Sequence, residues 1–238
     1  MLTNYLKLAL KVLQRRKFFT FVSLFGTSVT LLVLVVVSAM LDHAFAPHAP
    51  EVNLDRTLLV DYMVMKGPQN EWSGSPGYLF IDRYCRDIPH VERMSLYTGA
   101  HAAASFVNGA KLVSQLRRTD ADYWSILDFA FVSGQAYGVS EVSSGSHVAV
   151  LSESAARNLF GNQPAVGRTF ETQGQSFTVI GVVRNVSRVR ESAYADIWAP
   201  ITTLPTEVWK TALMGGCNAM LLADSRKSFR SIRAEFAT

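Results

Sequence analysis

Cysteine is scarce in this sequence of 238 residues, which contains only Cys85 and Cys217. Two cysteines exclude the disulfide-rich frameworks of small secreted domains and the four-cysteine clusters that hold structural zinc. They can form at most one disulfide. The sequence leaves that bridge open, and we favour two unpaired, buried thiols because a long stretch of chain separates them.

Charge is absent from residues 18–41, a run of 24 Leu, Val, Phe and small residues. At about 1.5 Å per residue, a helix of this length reaches about 36 Å and crosses a hydrocarbon core of about 30 Å. We therefore predict one transmembrane helix here. Its small residues either pack closely on another helix or face lipid, and they are Gly26, Thr27, Ser28 and Thr30.

Acidic residues are missing from positions 1–17, where five cations lie: Lys7, Lys11, Arg15, Arg16 and Lys17. Leucines at helical spacing on another stripe predict an amphipathic helix in the membrane interface, with its cations at the lipid headgroups. The positive-inside rule then places this end in the cytoplasm and residues 42–238 outside. A cleavable signal peptide is the alternative, since Ala44-Phe45-Ala46 resembles a cleavage site, but its apolar region would usually be about 7 to 15 residues long.

The net charge of +4 also comes from this end of the chain. Because the first 17 residues contribute five positive charges, the remainder is slightly acidic, and the sequence pI of about 9.1 reflects the cytoplasmic flank. A nucleic-acid-binding domain would need a basic external surface. We expect no nucleic-acid partner.

Recognisable catalytic motifs are missing as well. There is no G-x-S-x-G, and the loop from Gly161 to Gly167 differs from a phosphate-binding loop in its spacing and in having Arg168 where lysine is required. Ser146 and His147 are neighbours in a predicted strand and would point to opposite faces. We expect no catalytic residue, no metal site and no cofactor in this chain, which is therefore not predicted to be an enzyme.

Strand and helix patterns alternate after residue 56. A strand at 57–65, a helix that starts at Ser75-Pro76 and ends at Pro89, and a strand region at 91–107 predict a βαβ-like unit. The later pattern predicts a strand at 111–118, a short helix capped by Asp120 or Asp122, a strand at 128–133, a mobile loop at 134–146, a strand at 147–151, a helix from Ser152 to Gly161, a hairpin over 167–183, strands at 194–201 and 219–223, and a helix from 225.

The stretch from 148 to 186 carries a more specific pattern. It contains Leu159-Phe160-Gly161, Pro164, Gly167-Arg168 and the run Thr-Val-Ile-Gly-Val-Val at 178–183, and it is followed by Tyr-Ala-Asp-Ile-Trp-Ala-Pro-Ile at 194–201. This pattern resembles the periplasmic core domain of MacB-like ABC transporter permeases, which include FtsX and LolC types. One departure is Gln135 after Gly134, where the family has arginine.

The resemblance implies an α+β fold in which one N-terminal transmembrane helix precedes a periplasmic region of two α/β subdomains. A porter-like βαβ subdomain would take residues 51–110 and 192–238. An inserted, β-rich subdomain would take residues 111–191.

The resemblance also implies a function. The chain would be the N-terminal part of a permease in a bacterial inner membrane, paired with a second permease copy or a paralogue. ATP would bind a separate cytoplasmic ABC ATPase subunit, and a periplasmic adaptor or substrate protein is a possible further partner. Permeases of this family continue into three more membrane helices, so we expect a fragment, a truncated product or one piece of a split permease. The alternative is a membrane-anchored periplasmic binding or sensor module that works alone.

Overall fold

The computed structural model describes residues 15–45, 48–107 and 110–236. The chain divides into two units, Met1–Ala46 and Pro47–Thr238. The predicted interfacial helix, with Lys7 and Lys11, falls outside the described residues except for its last three positions.

The described part of the first unit is a single helix, α1 (Lys17–Phe45). The predicted apolar helix is confirmed and extends beyond its predicted ends. Over Lys17–Asp42 it is long and apolar enough to cross a membrane. Most of its apolar side chains are exposed, as expected for a surface that hydrocarbon would cover.

The second unit is built on one mixed sheet of ten strands and a separate two-stranded ribbon. The strands are β1 (Thr57–Val60), β2 (Met63–Lys66), β3 (Glu71–Gly74), β4 (Val91–Thr98), β5 (His101–Val107), β6 (Ala110–Thr119), β7 (Phe131–Gly134), β8 (Val148–Ser152), β9 (Thr169–Thr172), β10 (Gln175–Val183), β11 (Ile197–Pro200) and β12 (Cys217–Ala223). The helices are α2 (Tyr78–Tyr84), α3 (Tyr123–Ile126), α4 (Val139–Ser143), α5 (Glu153–Phe160) and α6 (Phe229–Glu235).

The large sheet runs in the order β1-β12-β4-β6-β11-β8-β10-β9-β5, and β5 pairs back with β6. Strands β6, β11, β8, β10, β9 and β5 therefore form a closed ring of hydrogen-bonded strands. Closure leaves no free edge within the ring. One apolar cluster joins these strands to α5, with Leu116, Leu151, Phe177 and Ile197 fully buried.

The predicted βαβ-like unit is present but split. Strands β1 and β4 both pair antiparallel with β12, so they are parallel to each other with β12 between them. Helix α2 lies between them in the chain and ends at Tyr84, earlier than the predicted end at Pro89. Its Ile81 is buried in one cluster with Cys85 and Ile88, which follow the helix, and with Ile232 of α6. The predicted two-subdomain boundaries stay a prediction, and hydrogen bonds join strands from both predicted parts in one sheet.

Several predicted boundaries are wrong in the first part of this unit. The strand predicted at 57–65 is broken into β1 and β2, and β2 pairs with β3, which lies in a stretch where we predicted no strand. Helix α2 begins after Gly77, because Pro76 forms a bridge with Met214. A Cβ on Gly77 would lie 2.1 Å from the carbonyl oxygen of Ala212, so this close approach requires glycine.

The loop predicted at 134–146 is also wrong in part, because it contains α4. The backbone N–H of Gly138 donates to Glu141 Oε2 at 2.9 Å, which satisfies the start of this short helix. That hydrogen bond is the first cause of the lowered pKa of Glu141. The spacing of Gly138 and Glu141 indicates the start of a helix. The sequence prediction missed it because a stretch rich in Gly and Ser is typical of a loop.

The later elements follow the predicted pattern closely. Ser152 caps α5 by accepting a hydrogen bond from the backbone N–H of Ala155 at 3.1 Å, and Gly161 ends that helix with a φ of 66°. The turn between β9 and β10 falls at Gln173 and Gly174, with φ angles of 51° and 73°. Two positive φ angles are the mark of a type I′ hairpin.

Candidate functional site

The described part of the predicted interfacial cations lies at the start of α1. Arg15, Arg16 and Lys17 are exposed at its N-terminal end. That position places three positive charges next to the apolar span, as headgroup contact requires. Their role at the membrane stays a prediction.

The small residues of the span bond within the helix. Thr27 Oγ1 donates to the carbonyl of Ser23 at 2.9 Å, and Thr30 Oγ1 donates to the carbonyl of Gly26 at 2.8 Å. These hydroxyls need no partner from another helix, and a Cβ on Gly26 would meet nothing within 4 Å. Ser28 is likewise exposed. The proposed helix-packing face stays a prediction.

Residues 50–53, near the start of the second unit, make specific polar contacts within that unit. The carbonyl of Pro50 accepts from the backbone N–H of Asp128 at 2.8 Å. Asn53 Nδ2 donates to the carbonyl of Ile126 at 3.3 Å. The first described residues of the second unit are therefore held against the α3 region.

Glu51 makes the strongest of these contacts. Its Oε2 accepts from Arg190 Nη1 at 2.9 Å, and its Oε1 accepts from Ser192 Oγ. The Glu51 and Arg190 side chains are only 8% and 4% exposed. A buried ion pair of this kind is strongly destabilised when one partner is removed.

Residues 188–194, here called the Arg190 segment, form one wall of a cavity of about 450 Å³, to which Arg188, Glu191, Ser192 and Tyr194 contribute. Tyr123 fixes the position of this wall further, because its hydroxyl donates to the carbonyl of Ser192 at 2.9 Å. Burial raises the pKa of Tyr123 to about 12. The floor crosses four adjacent strands, β1, β12, β4 and β6, and consists of Leu59, Asn218, Tyr97, Gln115 and Arg117. Charged side chains stand at its rim, namely Asp61, Arg188 and Glu191.

Arg117 is the unusual member of the floor. The residue is 3% exposed, and its guanidinium lies over the ring of Tyr97 at 5.0 Å from the centroid. Nη2 donates to the carbonyl of Glu191, whereas Nε and Nη1 are buried without a hydrogen-bond partner. Burial raises the pKa of Tyr97, although the positive charge of Arg117 opposes that shift.

Asn218 is a second residue of the floor that has a polar atom without a hydrogen-bond partner. Its Oδ1 is buried and accepts no hydrogen bond. Asn218 lies on β12 directly opposite Tyr97 of β4, which places it beside the aromatic ring that stacks on Arg117. Two residues that line the cavity therefore have buried groups without a hydrogen-bond partner, donors on Arg117 and an acceptor on Asn218.

The next residue, Arg118, faces the opposite side of β6 and is 1% exposed. Its Nε donates to Thr203 Oγ1 at 3.2 Å, and its Nη2 donates to Gln173 Oε1 at 2.9 Å and to Gln175 Oε1 at 3.3 Å. Burial lowers its pKa to about 10. This arginine is satisfied by neutral oxygens.

The two cysteines are free and buried. Both belong to the cluster between the sheet and α2. Burial raises the pKa of Cys85 to about 12 and that of Cys217 to about 11. Thiols with such values react slowly because the thiolate is the reactive form.

The residues considered for catalysis do not converge. Ser146 Oγ lies 2.7 Å from Ser144 Oγ, while the ring of His147 packs against Phe177 at 5.3 Å between centroids. Among the residues that the structure describes, no group of three or more His, Cys, Asp or Glu side chains could hold a metal ion.

Sequence reasoning missed the Arg117 cavity. The signal was present in the alternation of β6, where Arg117 and Arg118 continue a strand whose Ser114 and Leu116 are buried, so one arginine had to enter each face. From the sequence alone, two consecutive charged residues at the end of a strand indicate that this end is exposed to solvent. The burial of both arginines becomes visible only when the neighbouring strands are known.

Comparison with known proteins decides the family. A model of the MacB-like periplasmic core domain matches residues 20–238, which is nearly the whole chain. The chain belongs to this family. The match includes most of α1 and the entire second unit.

A curated relative is an uncharacterized ABC transporter permease, YvrN of Bacillus subtilis, which is 23% identical over 144 residues. That alignment covers 60% of this chain and 35% of the relative, so the chain spans about a third of the permease that it matches.

Solved structures share the fold of this family member. The extracellular domain of the noncanonic ABC-type transporter YknZ from Gram-positive bacteria matches with a TM-score of 0.57 at 14% identity, covering 74% of this chain and 88% of that one. The periplasmic region of MacB from Actinobacillus actinomycetemcomitans matches with a TM-score of 0.58 at 18% identity, covering 76% and 82%. The predicted fold class is confirmed: an apolar N-terminal helix precedes a mixed domain of the MacB periplasmic type.

Proposed function

We propose that this MacB-type chain is the N-terminal part of an ABC transporter permease subunit. A separate cytoplasmic ATPase subunit hydrolyses ATP, and the permease transmits that work as a movement of its periplasmic domain. A second permease copy or a paralogue completes the membrane part, and the outcome is export, lipoprotein extraction or mechanical signalling. The family match over residues 20–238 is the observation that carries this proposal.

The contacts after the helix support mechanical transmission. Pro50, Glu51 and Asn53 are each bonded to residues far away in the chain, at Asp128, Arg190 and Ile126. A displacement of this segment would therefore pull on the α3 region and on the Arg190 segment together.

Topology is tested with one cysteine on each side of the proposed membrane. Ser143→Cys lies on the exposed face of α4 and Arg16→Cys lies at the start of α1. In spheroplasts, a membrane-impermeant maleimide should label S143C at once and R16C only after permeabilisation. The native cysteines give little background because they are buried. Labelling of R16C alone from outside would invert the topology and remove the proposal.

Coupling is tested on the permease purified with its ATPase and reconstituted in nanodiscs. A dye on S143C should change its fluorescence when ATP is added. Glu51→Gln should abolish this ATP-dependent change while ATP hydrolysis continues. The matched control is Glu207→Gln, because the Glu207 side chain is 70% exposed and pairs only with Lys210 nearby. If no ATPase activity accompanied the purified permease, the proposal would be contradicted.

A membrane-anchored periplasmic binding or sensor module is the second candidate. The cavity around Arg117 favours it, since a sensor needs a ligand site but no ATPase. The two functions differ in the nanodisc experiment, because a sensor acting alone would bind ligand and show no response to ATP.

A further inference from the structure

Arg117 is the buried arginine whose partners are incomplete. Two other buried arginines, Arg118 and Arg190, have acceptors for their guanidinium groups. Arg190 pairs with the carboxylate of Glu51 at 2.9 Å, and Arg118 donates to three side-chain oxygens. In the described part of the chain, no carboxylate pairs with Arg117 within 4.0 Å. A buried cation without an anion or a full set of acceptors is costly.

The surroundings of Arg117 show what is missing. Its guanidinium has unused donors, which call for an anionic acceptor such as a carboxylate. Asn218 Oδ1 is an unused acceptor on the same floor, which calls for a donor. A partner that carries both an acidic group and N–H donors would satisfy the two residues at once.

The shape and the rim point to the same kind of partner. A volume of about 450 Å³ falls within the range of about 300–1,000 Å³ that small-molecule sites occupy. The rim presents two carboxylates and one further arginine, at Asp61, Glu191 and Arg188. This mixture disfavours a multiply charged anion and suits a ligand that bears one charge of each sign.

We propose that this cavity binds a small zwitterion, with its carboxylate on Arg117 and its ammonium or amide N–H groups on Asn218 Oδ1 and the rim carboxylates. A free amino acid and a short peptide share this chemistry. The site stands on the cavity alone and holds whether or not the chain works as a permease, so a failure of the ATP experiments leaves it intact.

The test is isothermal titration calorimetry on the detergent-solubilised chain. The probes are the dipeptide L-alanyl-L-alanine, the same dipeptide amidated at its C-terminus, L-alanine and inorganic phosphate. The dipeptide or alanine should bind saturably, and the amide should bind at least about 30-fold more weakly because it has lost the carboxylate. The ratio between dipeptide and alanine tells which source of the zwitterion the cavity prefers.

Arg117→Met should weaken the same binding at least about 30-fold, whereas Arg118→Met, on the other side of β6, should leave it unchanged. Arg117→Lys retains the charge and serves if R117M fails to fold, with a smaller expected loss. Equal binding of acid and amide, binding unchanged in both Arg117 variants, or no saturable binding of either zwitterion would overturn the proposal. Phosphate binding in place of the zwitterions would overturn the assignment of the ligand.

Discussion

Arg117 and Arg118 are consecutive residues of β6, yet the two sides of the strand treat them differently. Both are almost fully buried, at 3% and 1% exposure. On the side of the closed ring, Arg118 finds acceptors on Thr203, Gln173 and Gln175. On the outer side, Arg117 finds one carbonyl and an aromatic ring, and two of its nitrogens stay without a partner.

This difference separates two uses of a buried charge. The partners of Arg118 come from the turn between β9 and β10 and from the segment after β11, so this arginine holds distant parts of the fold together. Arg117, in contrast, makes few hydrogen bonds that would offset the free-energy cost of burying its charge. A residue that is costly and contributes little to stability is expected at a functional site.

The largest effect on stability should come from removing the buried carboxylate that pairs with Arg190. Glu51→Gln removes the carboxylate and leaves the Arg190 guanidinium buried without its counterion. We expect the free energy of unfolding to fall by about 3–5 kcal/mol. Urea unfolding in detergent, followed by tryptophan fluorescence, measures this for the second unit, because all four tryptophans lie beyond residue 47. Arg86→Gln is the control, since its pair with Asp82 is exposed and worth at most about 1 kcal/mol. Equal losses in the two variants would contradict the role of the Glu51 pair.

A second effect concerns Asp120, a partly buried carboxyl group two residues after Arg118. Asp120 accepts from Ser95 Oγ at 2.7 Å and from the backbone N–H groups of Leu96 and Tyr123 at 2.7 and 3.1 Å. Burial nevertheless raises its pKa from 3.8 to about 6. Between these values the folded state binds more protons than the unfolded state, so stability should fall as the pH rises from about 4 to 6.

The full change is on the order of 3 kcal/mol, since each pKa unit corresponds to about 1.4 kcal/mol. Unfolding measured at several pH values should show the decrease in the wild-type chain, and Asp120→Asn should remove that part of the pH dependence. A D120N variant with the same slope as the wild type would show that Asp120 does not titrate in this range.

The fold was predictable where local chemistry dictates local structure. Ser152 and Gly161 bound α5, and Gln173-Gly174 forms the hairpin, because capping and positive φ angles depend on residues close in sequence. The uncharged run of α1 is equally local. The break between β1 and β2 was not predictable, because β2 leaves the main sheet to pair with β3, and apolar periodicity does not show which strand a segment pairs with.

The cavity lay further beyond sequence reasoning. Its floor combines Tyr97, Arg117 and Asn218, which lie on three different strands, and β12 is far from the other two in the chain. Their proximity depends on β12 returning between β1 and β4, a connection that no local pattern encodes. The predicted interfacial cations and small residues of α1 come from composition, which a sequence displays directly, whereas this cavity depends on how distant strands are arranged in the sheet.

The smallest effect tests the comparison of the two arginines directly. Arg118→Met removes three hydrogen bonds to neutral groups and should lower the free energy of unfolding by about 1–2 kcal/mol, because it also relieves the burial of a charge. Arg117→Met removes a cation whose Nε and Nη1 are unpaired, so the unfolding free energy should stay unchanged or rise. The same urea titration in detergent, without ligand, measures both. If R117M were the more destabilised variant, Arg117 would be a structural residue, and the two sides of β6 would no longer differ in the way proposed.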